Sequence, residues 1–323
     1  MPAAPSACEP LIGDHPSMAA LRDLVGRVAR SKASIVLIYG ETGTGKGLVA
    51  RNLHAQSARA AKGYTEINCA AIPGNLLESE LFGHERGAFT GAVARKTGLL
   101  EAANGGSVFL DEIRELDPVM QAKILTLLDS RRFRRIGSVQ EVSVDARFIA
   151  ATNKILLGEV QAGRFRDDLY YRLQVVSINL PPLRERGDDV ILLAQHFLDD
   201  LNREGKTAKR FAPEALAAMR GYSWPGNVRE LRNFVYRSYI LADDVIKGDF
   251  NAFDLDEQAP AQGAEILVPV GVPLADANRQ LILATLKQCG GVKKLAAETL
   301  GISIKTLYNR LEEYGELSET ADQ

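Results

Sequence analysis

The apolar run ASIVLIYG (33–40) passes directly into GETGTGKG (40–47), and that glycine loop opens the helical pattern GLVARNLHAQSA. This order of strand, G-x-x-x-x-G-K loop and helix constrains the fold more than any other stretch. The glycines let backbone N–H groups close around phosphate oxygens at a helix N-terminus, and Lys46 can reach the β- and γ-phosphates. Gly40, Glu41, Thr42, Gly43, Thr44, Gly45, Lys46 and Gly47 are therefore candidate nucleotide-binding residues. The Ser or Thr that usually follows the lysine and contacts Mg²⁺ is replaced by Gly47. A plain glycine-rich turn is the competing explanation, and the loop's partners along the chain argue against it.

Four further stretches read as strands: YTEINC (64–69), SVFLDE (107–112), ARFIAATN (146–153) and VVSINL (175–180). Their near-continuous apolar content is that of strands buried on both faces of a parallel sheet. Amphipathic stretches such as PVMQAKILTLLDS lie between them, so residues 9–180 predict an α/β doubly wound parallel sheet. From PPLRER (181–186) onward the strand pattern stops, and 181–247 predicts a small all-helical subdomain. Residues 248–273 mix Asp, Glu, Pro and Gly with little periodicity and predict a linker. Residues 274–318 return to helix as an all-α unit, punctuated by glycines at 290, 291 and 301.

SVFLDE delivers Asp111 and Glu112 to the C-terminal end of a strand, where ligands sit in open α/β sheets. There Asp111 suits a Mg²⁺ shell and Glu112 suits orienting or deprotonating an attacking water. Two solvated acids opening a helix are the plainer alternative. AATN puts Asn153 at another strand end, within reach of a γ-phosphate, although an Asn after a strand is more often a turn residue. In GRFRDDLYYRL, Arg166 and Arg172 stand six apart beside Asp167 and Asp168. Arginines that stabilise a transferring phosphate can come from a neighbouring subunit; surface salt bridging is the bland alternative. WPGNVRELRN (224–233) starts a helix carrying Arg229, placed to close over a nucleotide, with Trp224 read as core.

The net charge of −2 gives no whole-chain sign of nucleic-acid binding, so any basic surface has to be local. Cys8, Cys69 and Cys289 form no CxxC pair, and the four histidines show no metal-ligand spacing. Such cysteines fit reduced thiols in the cytosol. No apolar run approaches the ~18 residues of a membrane span, and MPAAPSACEP lacks the features of a signal peptide. A cytoplasmic chain without a membrane partner is expected.

The local basic surface lies near the C-terminal end. VKKLAAETLGISIKTLYNRLEEY (292–314) has the form helix, glycine turn, helix, with Leu295, Ala296, Leu300, Ile302, Leu307 and Leu311 as its apolar set. Ser303 is a good N-cap for the second helix. That helix would offer Lys305, Thr306, Asn309 and Arg310, with Ser303 at its start, to a DNA major groove. Lys287, Lys293, Lys294, Lys305 and Arg310 face a single acid, Glu298, a local balance of +4. A helical oligomerisation hairpin with a solvated basic face is the alternative. The preceding LADANRQLILATLKQC has enough Leu and Ile to dimerise the unit, and a twofold reader predicts a palindromic site.

In GHERGAFTGAVARK (83–96), charged residues flank an uncharged centre of Gly87, Ala88, Phe89, Thr90, Gly91 and Ala92. An apolar Phe on a glycine-flanked tip is expected to touch a partner; inward packing as core is the alternative. GETGTGKG, LFGHERGAFTGA, GGSVFLDEI, FRDDLYYRL, PPLRER and WPGNVRELRN, in that order, resemble the sigma-54-dependent bacterial enhancer-binding proteins, a branch of the AAA+ ATPases. The resemblance covers residues 9–247 and continues into a Fis-like helix-turn-helix at 274–314.

That resemblance implies ATP and Mg²⁺ as cofactors, Lys46 in the Walker A motif, Asp111 and Glu112 in Walker B, Asn153 as sensor I and Arg229 as sensor II. It implies that Asn68, in INCAAIP, pairs with Glu112 and couples nucleotide state to the 87–92 loop, which contacts sigma-54. Arg166 and Arg172 match arginine fingers that act in trans, which implies a ring, usually a hexamer. The implied function is transcription activation: binding upstream DNA and using ATP hydrolysis to remodel sigma-54 RNA polymerase. Gly47 departs from the Glu common in the family and motivates a second expectation, a DNA-binding regulator that senses ATP but hydrolyses it weakly. A AAA+ chaperone or replication loader is a third, against which the GAFTGA stretch argues. Many relatives carry an N-terminal regulatory domain; here eight residues precede EPLIGDHPSM, so either a separate regulatory protein or a removed domain is expected.

Overall fold

Five parallel strands carry the nucleotide-motif residues at one edge of a single sheet. In the computed structural model, residues 9–247, 273–289 and 292–314 are described, within two units spanning 1–250 and 251–323. The strands are β1 (Ile35–Tyr39), β2 (Tyr64–Asn68), β3 (Ser107–Asp111), β4 (Arg147–Thr152) and β5 (Ser177–Asn179), in the order β2-β3-β4-β1-β5. All four neighbouring pairs are parallel.

The unbroken apolar runs have a physical reason. Alternate residues of β1 enter different cores: Ile35 and Leu37 pack on one face, Val36 and Ile38 on the other. Phe148 and Ala150 of β4 join the first core, and Ile149 and Ala151 join the second. Helix α1 (Lys46–Ala55) covers the second face through Val49, Ala50 and Leu53. Helix α2 (Pro118–Ser130) covers the first through Met120, Ile124, Leu127 and Leu128. Its start is fixed by Asp117, whose carboxylate accepts the Met120 N–H at 2.8 Å, and by Pro118 in the first turn.

Register brings the strand ends level. Asn68 pairs opposite Asp111, and Tyr39 opposite Thr152. Residues far apart in sequence thus emerge from the same edge, as open α/β sheets require of a ligand site.

The 181–247 segment is mostly helical, over Asp189–Gly205, Pro213–Gly221 and Asn227–Leu241, but not wholly so. A short parallel pair, Arg210–Phe211 with Val245–Ile246, ties the stretch between its first two helices to its C-terminal end. Gly83–His84 pairs antiparallel with Lys96–Thr97, and Arg132–Arg134 with Glu141–Ser143. Strands of two or three residues are too short for alternation to announce. Residues 248–272 of the expected linker lie outside the described residues, as does Cys8. Among the described residues, no helix is long and apolar enough to cross a membrane.

In the second unit, helices Leu274–Gln288, Lys293–Thr299 and Ile304–Glu313 close over Ile282, Ala296, Ala297, Leu307 and Leu311. One expected core residue is corrected: Leu295 is half exposed, and Ala297 takes the inward place. With Ala296 and Ala297 turned to the core, the helical repeat carries residue 295 outward.

Candidate functional site

The glycine loop lies between the β1 end and α1, as the sequence requires. Lys46 is buried, and its Nζ donates to the carbonyl of Gly40 at 3.0 Å and stands 3.4 Å from Glu112 Oε1. Glu112 Oε2 accepts the Asn153 N–H at 3.3 Å, while Asn153 Nδ2 donates to Thr42 Oγ1 at 3.1 Å. Asn153 therefore bridges the glycine loop to the acidic strand end. Its Oδ1 is buried and unpartnered, so it holds an acceptor ready for one more donor.

Burial pushes the Asp111 carboxyl above its ordinary value; the Glu112 charge adds to this, and Lys46 and Arg229 oppose it. A dication beside Asp111 would relieve that strain. Among the described residues no three His, Cys, Asp or Glu side chains converge as a metal cage. Mg²⁺ in nucleotide sites needs only one or two carboxylates beside the phosphates, so Asp111 fits the role. At Gly47 an added Cβ would meet nothing nearer than 3.5 Å, so no steric demand selects glycine.

These groups line a cleft of about 840 Å³. Asn68, Lys46, Asp111, Glu112, Asn153 and Arg229 are among its polar lining. Leu11, Ile12, Leu180, Leu193, Phe197 and Val228 add apolar lining suited to a flat base. Of these apolar residues only Val228 falls within a motif; the others, and His196 beside them in the lining, are ordinary in sequence.

One implied contact is not made. Asn68 Oδ1 accepts the Ala70 N–H at 2.9 Å, and among the described residues no hydrogen bond joins it to Glu112. In this structure Glu112 is engaged by Lys46 and Asn153 instead. Arg166 and Arg172 lie outside the lining of their own chain's cleft. Arg166 grips Asp168 through two hydrogen bonds of 3.0 and 2.8 Å, and Arg172 Nε lies 2.9 Å from Asp129. Arg166 sits on exposed surface, where such a pair holds weakly, whereas Arg172 is half-buried and its Nη2 also donates to the Leu128 carbonyl at 3.1 Å.

The GAFTGA stretch caps the short hairpin of Gly83–His84 and Lys96–Thr97. Gly87 and Gly91 have φ of +80° and +103°, so the loop geometry itself selects glycine at both. Phe89 is 42% exposed, its ring edge-on to His84 at 4.9 Å. It is neither core nor free. Thr90 is exposed beside it. Ala92 is the exception among the six expected contact residues: it is buried, donating to the Phe89 carbonyl and accepting from the Gly87 N–H, and so closes the loop from within. The stem is pinned by Arg135, whose buried guanidinium holds Glu101 through contacts of 2.9–3.1 Å and Glu85 at 3.3 Å.

In the second unit Ser303, Lys305, Thr306, Asn309 and Arg310 are all exposed. Ser303 caps its helix, its Oγ accepting the Thr306 N–H at 3.1 Å. Tyr308, which no sequence pattern marks, shares that surface, with Lys293 Nζ 4.9 Å from its ring centre.

Residues 11–179 match the sigma-54 interaction domain, 184–264 the AAA+ ATPase lid domain, and 273–314 the bacterial regulatory protein, Fis family. The transcriptional regulatory protein ZraR of Escherichia coli K12 is 46% identical over 307 residues, spanning 93% of this chain and 68% of that protein. The response regulator protein PilR of Pseudomonas aeruginosa is 43% identical over 94% of this chain and 69% of its own length. Among solved structures, NtrX from Brucella abortus in complex with ATP superposes with a TM-score of 0.69 at 33% identity, covering 95% of this chain and 69% of that one. The same protein in complex with ADP gives 0.69 at 34%.

Proposed function

The chain belongs to the sigma-54-interacting AAA+ transcriptional regulators with a Fis-type DNA-binding unit, and we propose that it is an ATP-hydrolysing activator that remodels sigma-54 RNA polymerase for promoter opening. Residues 9–180 form the ATPase sheet, 181–247 its lid, and 274–318 the reader of a palindromic upstream site. The protein works in the cytoplasm as a ring, a hexamer in our reading, with Arg166 and Arg172 reaching a neighbour's nucleotide.

Lys46 takes the β- and γ-phosphates, and Arg229 closes from the lid. Mg²⁺, held through Asp111, supplies charge neutralisation on the phosphates. Glu112 orients or deprotonates the attacking water, and the free Oδ1 of Asn153 accepts a hydrogen bond from that water. The observation that carries this reading is the Lys46–Glu112 contact of 3.4 Å beside the Asn153 bridge to Thr42. When Lys46 turns to the phosphates, Glu112 is released to the water and to Asn68. Asn68 ends β2, and the single helix Gly74–Phe82 runs from just beyond it to the hairpin carrying Phe89. A shift at Asn68 thus has a short rigid path to the tip.

Gly87, Ala88, Phe89, Thr90 and Gly91 form the sigma-54 contact, Ala92 serving as its inner closure. Ser303, Lys305, Thr306, Asn309 and Arg310 form the DNA surface. The test is steady-state ATP hydrolysis together with sigma-54 capture in ADP plus aluminium fluoride, which mimics the hydrolysis transition state. Gly47 favours one second reading, an ATP sensor with weak turnover. Tight ATP binding with negligible hydrolysis by the assembled ring would select it.

A further inference from the structure

The glycine loop has two sides. Its N–H groups serve phosphate. Its carbonyls are held by the segment running from Pro181 to Arg229. Asn227 Nδ2 donates to the Thr42 carbonyl at 3.1 Å, the Arg229 N–H donates to the Gly43 carbonyl at 3.3 Å, and Arg186 Nη2 donates to the Thr44 carbonyl at 3.2 Å. Three consecutive carbonyls of the loop are thus bonded to the lid side. The approach is so close at Gly43 that a Cβ would stand 2.1 Å from the Gly226 carbonyl oxygen.

Asn227 is the centre of this seam. It is fully buried and opens the helix Asn227–Leu241 that carries Arg229. Its φ of +54° is left-handed, a conformation Asn tolerates better than most residues. Its Oδ1 accepts the Leu183 N–H at 2.8 Å, and its Nδ2 also reaches Glu41 Oε2 at 3.1 Å. Glu41 is itself gripped by Arg184 through bonds of 2.8 and 2.6 Å. Gly226, at the cap position, offers no side-chain acceptor, so the helix start borrows the Gly43 carbonyl.

We propose that Asn227 is a positioning residue for the nucleotide reaction: it seats the lid on the carbonyl side of the glycine loop and so sets Arg229 over the cleft. Phosphate bound to the N–H side polarises the same peptide groups, strengthening their carbonyls as acceptors. ATP occupancy and lid seating therefore reinforce each other through this seam. The proposal rests on the reading of the cleft as an ATP site.

The test compares ATP affinity, by fluorescent-nucleotide titration, in the parent, Asn227→Gly, Asn227→Asp, Arg229→Ala and each Asn227 variant combined with Arg229→Ala. Asn227→Gly keeps the left-handed backbone and loses only the side-chain bonds. Asn227→Asp keeps the Leu183 acceptor and sets a carboxylate against Glu41 and the Thr42 carbonyl. Each should weaken ATP binding roughly tenfold or more, since both variants lose the Nδ2 bonds to the Thr42 carbonyl and to the Glu41 carboxylate, and Asn227→Gly also loses the bond from the Leu183 N–H. The loss should be non-additive with Arg229→Ala, since Asn227 acts through Arg229; a merely structural residue would add in full. In the unsubstituted parent, ATP should slow amide exchange at Arg229. Parental affinity in both Asn227 variants, full additivity, or an Arg229 amide indifferent to ATP would each overturn the proposal. A parent that binds no ATP would overturn the nucleotide reading and this inference with it. Where parental binding depends on Lys46, the nucleotide reading stands and the variants bear on Asn227 alone.

Discussion

Replacing Arg135 with Met removes the cation shared by two carboxylates while keeping much of the apolar stem. Only 6% of the Arg135 side chain is exposed, and it makes three contacts of 2.9–3.1 Å to Glu101 and one of 3.3 Å to Glu85. Hydrogen bonds to charged partners are worth about 1.5–3 kcal/mol when buried. Glu85 and Glu101 keep side-chain exposures of 32% and 29%, so water recovers part of what they lose. A net cost of about 2 kcal/mol follows, which in a unit of this size lowers Tm by about 4–8 °C. Arg135 does not line the nucleotide cleft, so ATP affinity should hold. Glu85 leads into the GAFTGA tip, so sigma-54 capture should fall. Calorimetry, nucleotide titration and capture on one preparation read all three. An unchanged Tm, or lost ATP binding with intact capture, would show that Arg135 does not pin the stem.

Glu112→Gln should bind ATP but not hydrolyse it, because Lys46 and Asp111 remain; near-normal turnover would remove Glu112 from the mechanism. Arg166→Ala and Arg172→Ala should each abolish turnover without abolishing ATP binding, and mixing either with Lys46→Ala should restore some activity at shared interfaces; a finger variant that hydrolyses normally as a monomer contradicts action in trans. Asp111→Asn should raise Tm at neutral pH in the absence of nucleotide. Burial holds the folded-state value of Asp111 high, so its stabilising contribution is complete below the ordinary Asp range and lost as pH rises through that raised value. The difference from the parent should shrink as pH falls into the ordinary Asp range, and a gap independent of pH would contradict the assignment.

The sheet was legible because burial on both faces leaves β1, β3 and β4 as unbroken apolar runs, each ending in a motif. Asp111 and Asn153 could be named from those ends alone. Arg135 was not legible, since its two glutamates lie 34 and 50 residues away and meet it only through the hairpin. Asn227 sat inside the WPGNVRELRN motif, yet its role depends on a left-handed φ and on loop carbonyls that no local pattern reveals. Ala92 and Leu295 were misplaced for one reason: small or helical segments turn a residue in or out by a single position, which composition does not resolve. The Asn68–Glu112 pairing that the family resemblance implies is not made here, where Lys46 and Glu112 remain in contact and Asn68 accepts the Ala70 N–H.

Whether the GAFTGA tip is the sigma-54 contact is decided by sigma-54 capture with Phe89→Ala in ADP plus aluminium fluoride. Phe89 is 42% exposed and meets His84 edge-on, so its loss should cost about 1 kcal/mol of stability and leave the cleft intact. The expected result is parental ATP hydrolysis, a nearly parental Tm and no stable sigma-54 complex, beside a parent that captures sigma-54 and a Lys46→Ala variant that does not. Capture and promoter opening by Phe89→Ala at the parental level would place the contact elsewhere on the chain.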